Sequence, residues 1–426
     1  MCTGNGTEGS NPSVSAKSPA VSGLRALARF GPPAGAILAA TFVGILCGAM
    51  SAAFLWLLDG ATHFRGTHDL VVYALPLAGF AIGLLYSRFG TGIQGGTRLV
   101  IQAVHDPDIA VPLRIAPMVL LGTVVTHLFG GSAGREGTAV QMGAGAAEAV
   151  ARALGVTGAR RQHLLLAGIA GGFGSVFGTP VAGAAFALEV AGLRRMHFAS
   201  TLPALAASFA GDLTTRALGL RHTAYAEVLA HPLTPIVATK WLLFSCAVAL
   251  VGAGFIALVK GLKTRAERAL PHLLTRMFVG GAVLVIAWKI VGTSDYLGLG
   301  IPLIARAFTD PHTPMDAFAM KAIFTAITLG AGFIGGEVTP LFVAGALLGN
   351  TLSRLLGIPL ELAAAVGLAS LFAAASRTPI ALSLMAAELF GIGVLPHVAL
   401  VTVVASALMG SRSIYAPTER GGGEEP

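Results

Sequence analysis

Apolar residues in this chain gather in long uncharged runs, with the polar residues pushed into short breaks between them. The runs include Ala34–Leu58, Val71–Tyr86, Ile115–Phe129, Leu202–Ala210, Trp241–Val259, Phe278–Val291 and Val398–Met409. Several approach the roughly 20 residues with which a helix crosses a bilayer. Other apolar segments are short, or broken by Gly and Pro. The pattern predicts an all-α, polytopic membrane protein built from tilted and broken helices. Composition agrees: 54% hydrophobic and 11% charged residues are too apolar for a soluble chain of this length. Fifty-six glycines and 22 prolines among so many apolar residues imply interrupted helices packed on small side chains.

A formal net charge of +8 invites a nucleic-acid reading. The basic residues, however, form no soluble basic domain and fall in short loops, as the positive-inside rule expects. Arg152, Arg160 and Arg161, then Arg194 and Arg195, then the segment from Lys260 to Arg276 mark the cytoplasmic side. No nucleic-acid partner is expected. Residues 1–33 form a polar, flexible cytoplasmic tail without the features of a secretory signal. Residues 34–412 form the transmembrane domain, and 413–426 a short tail. Cys2, Cys47 and Cys246 are too scattered for a disulfide framework or a metal site. The histidines show no ligand spacing and there is no Gly-Lys-Ser/Thr phosphate loop, so neither a metal, another cofactor nor ATP is expected.

The domain repeats itself. Gly90-Thr91-Gly92-Ile93-Gln94 matches Gly298-Leu299-Gly300-Ile301-Pro302, and Asp106-Pro107 matches Asp310-Pro311. Gly134-Arg135-Glu136-Gly137-Thr138 matches Gly335-Gly336-Glu337-Val338-Thr339, which makes Glu337 the counterpart of Glu136. Thr179-Pro180 with Glu189 matches Thr378-Pro379 with Glu388 at identical spacing. Repeat one covers about 72–219 and repeat two about 278–411. Loops flanking the Thr-Pro helix are rich in Arg in the first repeat and carry only Arg354 in the second. That asymmetry puts them on opposite faces, so the repeats are inverted, as in transporters whose substrate site lies at the midplane between two halves.

The chemistry concentrates at the break Gly130–Gly145. A Glu and an Arg between hydrophobic segments mark an ion or proton path, because such charges are costly inside a bilayer. Glycines let the backbone bend, and a helix starting near Gly137 offers unpaired N–H groups and a positive dipole end to an anion. Glu136 would then lie where the anion binds. The plainer alternative is a helix-capping carboxylate paired with Arg135.

These residues resemble the CLC family of anion channels and proton-coupled anion exchangers. The resemblance rests on Gly134-Arg135-Glu136-Gly137-Thr138, on Gly172-Phe173-Gly174-Ser175-Val176-Phe177-Gly178-Thr179-Pro180 through Glu189, on Gly335-Gly336-Glu337-Val338-Thr339-Pro340 and on Tyr415. It spans roughly Ala34 to Tyr415. It implies a homodimer with one anion pathway per subunit, helix N-termini converging on the anion, and Glu136 as the gating glutamate, occupying an anion position when ionised and carrying a proton when neutral. Tyr415 matches the pore-lining tyrosine.

Three departures from the chloride-type members point to the fluoride-exporting branch. The serine of the first Gly-rich break is absent, leaving Thr91 and Thr97 as the hydroxyls that could replace it. Val190 follows Glu189 where chloride exchangers often carry a second glutamate. Glu337 and Thr339 stand where chloride members usually have apolar residues. Fluoride is small and strongly hydrated, so its site must replace water with close donors and aromatic edges. Thr339, the backbone N–H groups of Gly137 and Val338, and Phe342 could supply them. Glu337 offers a second proton stop, since two neighbouring carboxylates resist being charged together; its plainer alternative is a helix cap.

The expected function is therefore proton-coupled fluoride export across the cell membrane, in a bacterium the inner membrane, by a protein that is not an enzyme. The alternatives are chloride/proton exchange or passive chloride conduction. A remote alternative, an intramembrane serine hydrolase, rests on Ser132 and the nearby His127. Glu189 and Glu388 are expected to face loops, and Phe173 and Phe177 to serve helix packing.

Overall fold

The computed structural model describes residues 32–192, 198–229 and 231–415. The expectations for residues 1–31 and 416–426, and for Arg194 and Arg195, lie outside the described residues. The regular elements of the described residues are all helices. Its first half runs α1 (Pro32–Thr67), a 3-10 turn (Asp69–Ala74), α2 (Leu75–Phe89), α3 (Thr97–His105), α4 (Ile115–Leu128), α5 (Glu136–Leu154), α6 (Gly158–Phe177), α7 (Pro180–Val190) and α8 (Thr201–Ala217). The second runs α9 (Pro235–Ala269), α10 (Leu273–Val291), α11 (Ile301–Thr309), α12 (Ala317–Gly330), α13 (Val338–Leu356), α14 (Leu360–Ser376), α15 (Pro379–Phe390) and α16 (Leu395–Leu408).

Four helical stretches are long and apolar enough to cross a membrane: Ala34–Thr67, Asp69–Phe89, Pro235–Ala269 and Leu273–Val291. They lie on the outside, with large apolar side chains such as Leu250 and Ile290 turned away from the protein, as a lipid-facing surface requires. The basic segment beginning at Lys260 is not a loop, as its charge suggested, but mostly the last turns of α9. Lys and Arg are good helix formers, so the helix runs on beyond its apolar stretch.

The interior consists of α5, α6, α13 and α14, buried along most of their length. Their sequences are rich in Gly and Ala, and backbone approaches backbone. A Cβ on Gly143 of α5 would lie 2.1 Å from the Gly168 carbonyl oxygen of α6, and one on Gly345 of α13 would lie 2.2 Å from that of Gly367 in α14. Any side chain there forces the paired helices apart. The same crossing occurs in both halves because the halves are two copies of one module.

The copies are inverted and meet reciprocally. Gly134 N donates to Gly336 O at 2.6 Å and Gly336 N to Gly134 O at 2.9 Å, an isolated antiparallel bridge between the segments that lead into α5 and α13. Further along, Glu189 at the end of α7 accepts from Ile380 N and Ala381 N at the start of α15 (3.0 and 2.8 Å). Glu388 at the end of α15 accepts from Val181 N and Ala182 N at the start of α7 (2.9 and 2.8 Å). Glu189 and Glu388 thus do not face loops. Each carboxylate satisfies orphan N–H groups and the positive dipole end of the other's helix.

The bridge also corrects the register of the repeat. The shift that carries Gly134 to Gly336 carries Glu136 to Val338 and Arg135 to Glu337, and it brings the start of α5 onto that of α13. It likewise matches their left-handed C-caps, Gly155 and Gly357. Glu337 is therefore the N-cap counterpart of Arg135, not of Glu136. A similar slip affects the first Gly-rich break: Gly96, the N-cap of α3, corresponds to Gly300, the N-cap of α11. Matching identical letters displaced both segments, whereas helix starts align them.

Candidate functional site

The bridged segments bring the N-termini of α5 and α13 together, and Glu136 is the first residue of α5. Its side chain is fully buried and reaches across to the other repeat. Oε2 accepts from the Thr339 backbone N–H at 3.1 Å, from the Thr339 hydroxyl in a short hydrogen bond, and from the Arg135 N–H at 3.3 Å. Oε1 lies 3.5 Å from Arg135 Nε. The carboxylate therefore occupies a donor cluster at the start of α13, where helix geometry leaves N–H groups unpaired and favours negative charge. The capping alternative holds in part, but the helix receiving the carboxylate is the inverted partner.

Gly137, Thr97 and Gln141 complete one wall. Gln141 Nε2 donates to Thr97 Oγ1 at 3.3 Å, and a Cβ on Gly137 would lie 3.2 Å from Gly336 Cα and 3.4 Å from the Thr97 hydroxyl. Glycine at 137 keeps this face of α5 open to Thr97. Of the two threonines of the Gly-rich break, Thr97 is buried beside α5, while Thr91 is exposed. Val338 opens α13 directly before Thr339. Phe342, one turn further and fully buried, meets Phe177 and Phe372 edge-on with centroids 5.1 and 5.4 Å apart. Phe173 stacks on Phe177 and Phe186 in the same cluster. Phe177 thus packs against Phe342, and Phe173 packs behind it.

Glu337 does not share Glu136's donors. The Tyr415 hydroxyl hydrogen-bonds its carboxylate, and the charges of Glu136 and Arg98 act on it. Tyr415 in turn lines an 850 Å³ cavity together with Arg98, His105, Glu189 and Arg377. Tyr415 thus touches both the cavity and the Glu337 carboxylate.

Sequence reasoning missed a buried group behind the Glu136 loop. Lys321 on α12 is fully buried, and its Nζ donates to Ser132 Oγ (2.9 Å), Tyr296 O (3.1 Å) and Gly298 O (2.7 Å). A lone lysine within the apolar Ala317–Gly330 helix was the signal that could have found it. Both ring nitrogens of His127 are spent on the Thr123 and Ala133 carbonyls, at 2.7 and 2.9 Å. His127 therefore does not pair with Ser132, whose hydroxyl is hydrogen-bonded to Thr325 and Lys321 instead. The described residues contain no group of His, Cys, Asp and Glu able to hold a metal ion.

Inverted repeats, interrupted helices and a buried carboxylate on a cluster of helix N-termini define a membrane protein of the anion-transporter class. The chain belongs to the voltage gated chloride channel family, whose model matches residues 78–410. It is 41% identical over 384 residues to a chloride/fluoride channel protein of Pseudomonas syringae pv. tomato, covering 88% of this chain and 84% of that one. To an H(+)/Cl(-) exchange transporter of Vibrio parahaemolyticus it is 26% identical, over 71% of this chain and 69% of that one. Among solved structures it resembles a CLC-type fluoride/proton antiporter at 35% identity and TM-score 0.85, covering 89% of this chain and 96% of that chain. A slow cyanobacterial Cl-/H+ antiporter shares the fold at 18% identity and TM-score 0.78, over 91% and 97% of the two chains.

Proposed function

We propose that this protein exports fluoride in exchange for protons. The reading rests above all on one observation: the Glu136 carboxylate sits on the Thr339 N–H and hydroxyl, a seat that a small anion could take instead. One negative group satisfies those donors at a time. An ionised Glu136 therefore excludes the anion, and a protonated one yields to it. Similarity to proteins named for fluoride/proton antiport and for chloride/fluoride conduction supports the choice of anion.

In this reading Glu136 gates and carries the proton. Glu337 relays it toward the cavity while hydrogen-bonded to Tyr415. Thr339 and the N–H groups of Gly137 and Val338 hold the anion, Thr97 borders it, and Phe342 offers an aromatic edge, which carries positive charge density. The resemblance implies a homodimer, each subunit with its own pathway, in the cell membrane and in a bacterium the inner membrane. Purified protein in liposomes is expected to move fluoride much faster than chloride, with protons moving oppositely. Chloride preference, or fluoride flux without proton counter-movement, would sink the proposal.

A further inference from the structure

Among the described residues one non-glycine residue has positive φ: Arg377, at φ 63° and ψ 43°, which ends α14 as its C-cap. This left-handed conformation crowds a Cβ and normally falls to glycine. The inverted copy follows that rule, because the corresponding C-cap of α6 is Gly178, at φ 77° and ψ 26°, likewise followed by Thr-Pro. Repeat two therefore keeps a side chain where its own fold favours none. A strained residue retained in one copy of a symmetric module points to a use for its side chain.

Its surroundings suggest the use. Arg377 is exposed and lines the 850 Å³ cavity that leads to Tyr415, with Arg98 on the same wall. Among the described residues no hydrogen bond or ion pair holds its guanidinium. Of the acidic residues around the cavity, Glu189 is occupied by the N–H groups of Ile380 and Ala381, and Asp106 accepts from Asp108 N. By the positive-inside rule, the basic residues that follow Glu189 in the sequence assign this side to the cytoplasm.

We infer that Arg377 recruits fluoride from the cytoplasm into the inner cavity, a positive charge at the mouth that raises the local anion concentration before any anion reaches Tyr415. A cleft lined by one sign of charge speeds entry of the opposite sign by roughly 10- to 1,000-fold. Here Asp106 and Glu189 also line the cavity, so the effect of Arg377 falls at the low end of that range, and salt screens it. Arg377 touches no part of the Glu136 seat in this scheme, so it changes capture and leaves coupling alone. The inference rests on the fluoride/proton reading. The competing explanation is structural: a cation at the C-terminal end of α14 favours the helix dipole.

Fluoride uptake into everted membrane vesicles separates the two, since the cavity then faces the bath. Under an imposed pH gradient, Arg377→Gly should raise the half-saturating fluoride concentration by roughly 3- to 10-fold and leave the maximal rate and proton coupling within about twofold. High ionic strength should shrink that difference. Arg377→Lys, which keeps the charge, should stay close to wild type. Relief of strain should raise the melting temperature of purified Arg377→Gly by roughly 2–4 °C. An unchanged saturation curve, a lysine variant behaving like the glycine one, or a lowered melting temperature for Arg377→Gly overturns the inference. Absence of proton-coupled fluoride uptake in the wild type as well would instead refute the transport reading.

Discussion

The starts of α5 and α13 are two copies of one structure with different chemistry. Both follow a Gly-rich bend, both bear a glycine of the central bridge, and both aim a positive dipole end at the same space. The first copy supplies the carboxylate, Glu136, which the proposed mechanism makes the moving charge. The second supplies the seat, Thr339 N–H and hydroxyl, and holds its own carboxylate, Glu337, one register position away against Tyr415. Duplication supplies the frame, and in the proposed mechanism divergence at a few positions divides the labour: one repeat gates while the other receives. Were both starts to carry Glu at their first helical residue, two carboxylates would contest one pocket.

That division can be broken most severely at the gate. Glu136→Gln should cut proton counter-flux by roughly 100-fold or more, the scale on which positioned proton carriers act, whether or not fluoride still leaks. Proton uptake recorded alongside fluoride efflux from liposomes checks it, and coupled exchange at the original rate would show that another group gates. Next comes the relay. Glu337→Gln should slow proton flux by roughly 10- to 100-fold while fluoride still binds. An equal loss in Thr339→Val would mean that the two residues do not act separately.

The seat should respond more mildly and in another quantity. Thr339→Val keeps the shape but removes a donor to a charged group, worth about 1.5–3 kcal/mol. Fluoride affinity measured in Glu136→Gln, where no carboxylate competes, should then fall by roughly 10-fold or more, and Thr339→Ser should restore most of it. The smallest effect is expected at Phe342. Leucine there removes an aromatic edge worth roughly 0.5–1.5 kcal/mol, so fluoride-over-chloride selectivity should drop a few-fold in paired flux assays with the fold intact.

Much of this was legible in the sequence, and what was not has physical causes. The helical membrane class and the inverted repeat follow from apolar runs and loop charge. Glu136, Gly137, Thr97 and Thr339 come together because they flank Gly-rich breaks that the repeat must superpose. The pairing of Glu337 with Glu136 slipped by one position because a shared Glu outweighed helix starts that sequence does not mark. The reciprocal caps at Glu189 and Glu388 were hidden because each carboxylate's partners are backbone groups about 190 to 210 positions away, and backbone donors leave no trace in residue identity. Lys321 was visible as an intramembrane charge, but its acceptors, a serine and two carbonyls, carry no pattern that names them.

Fluoride binding titrated calorimetrically across a range of pH, in the wild type and in Glu136→Gln, tests the competition most directly. If the carboxylate and the anion share the Thr339 seat, wild-type affinity rises as pH falls, because protonation neutralises the competitor and frees the donors. Glu136→Gln then binds fluoride more tightly than the wild type near neutrality, with little dependence on pH. Equal affinities and parallel pH profiles in the two proteins would contradict a shared seat.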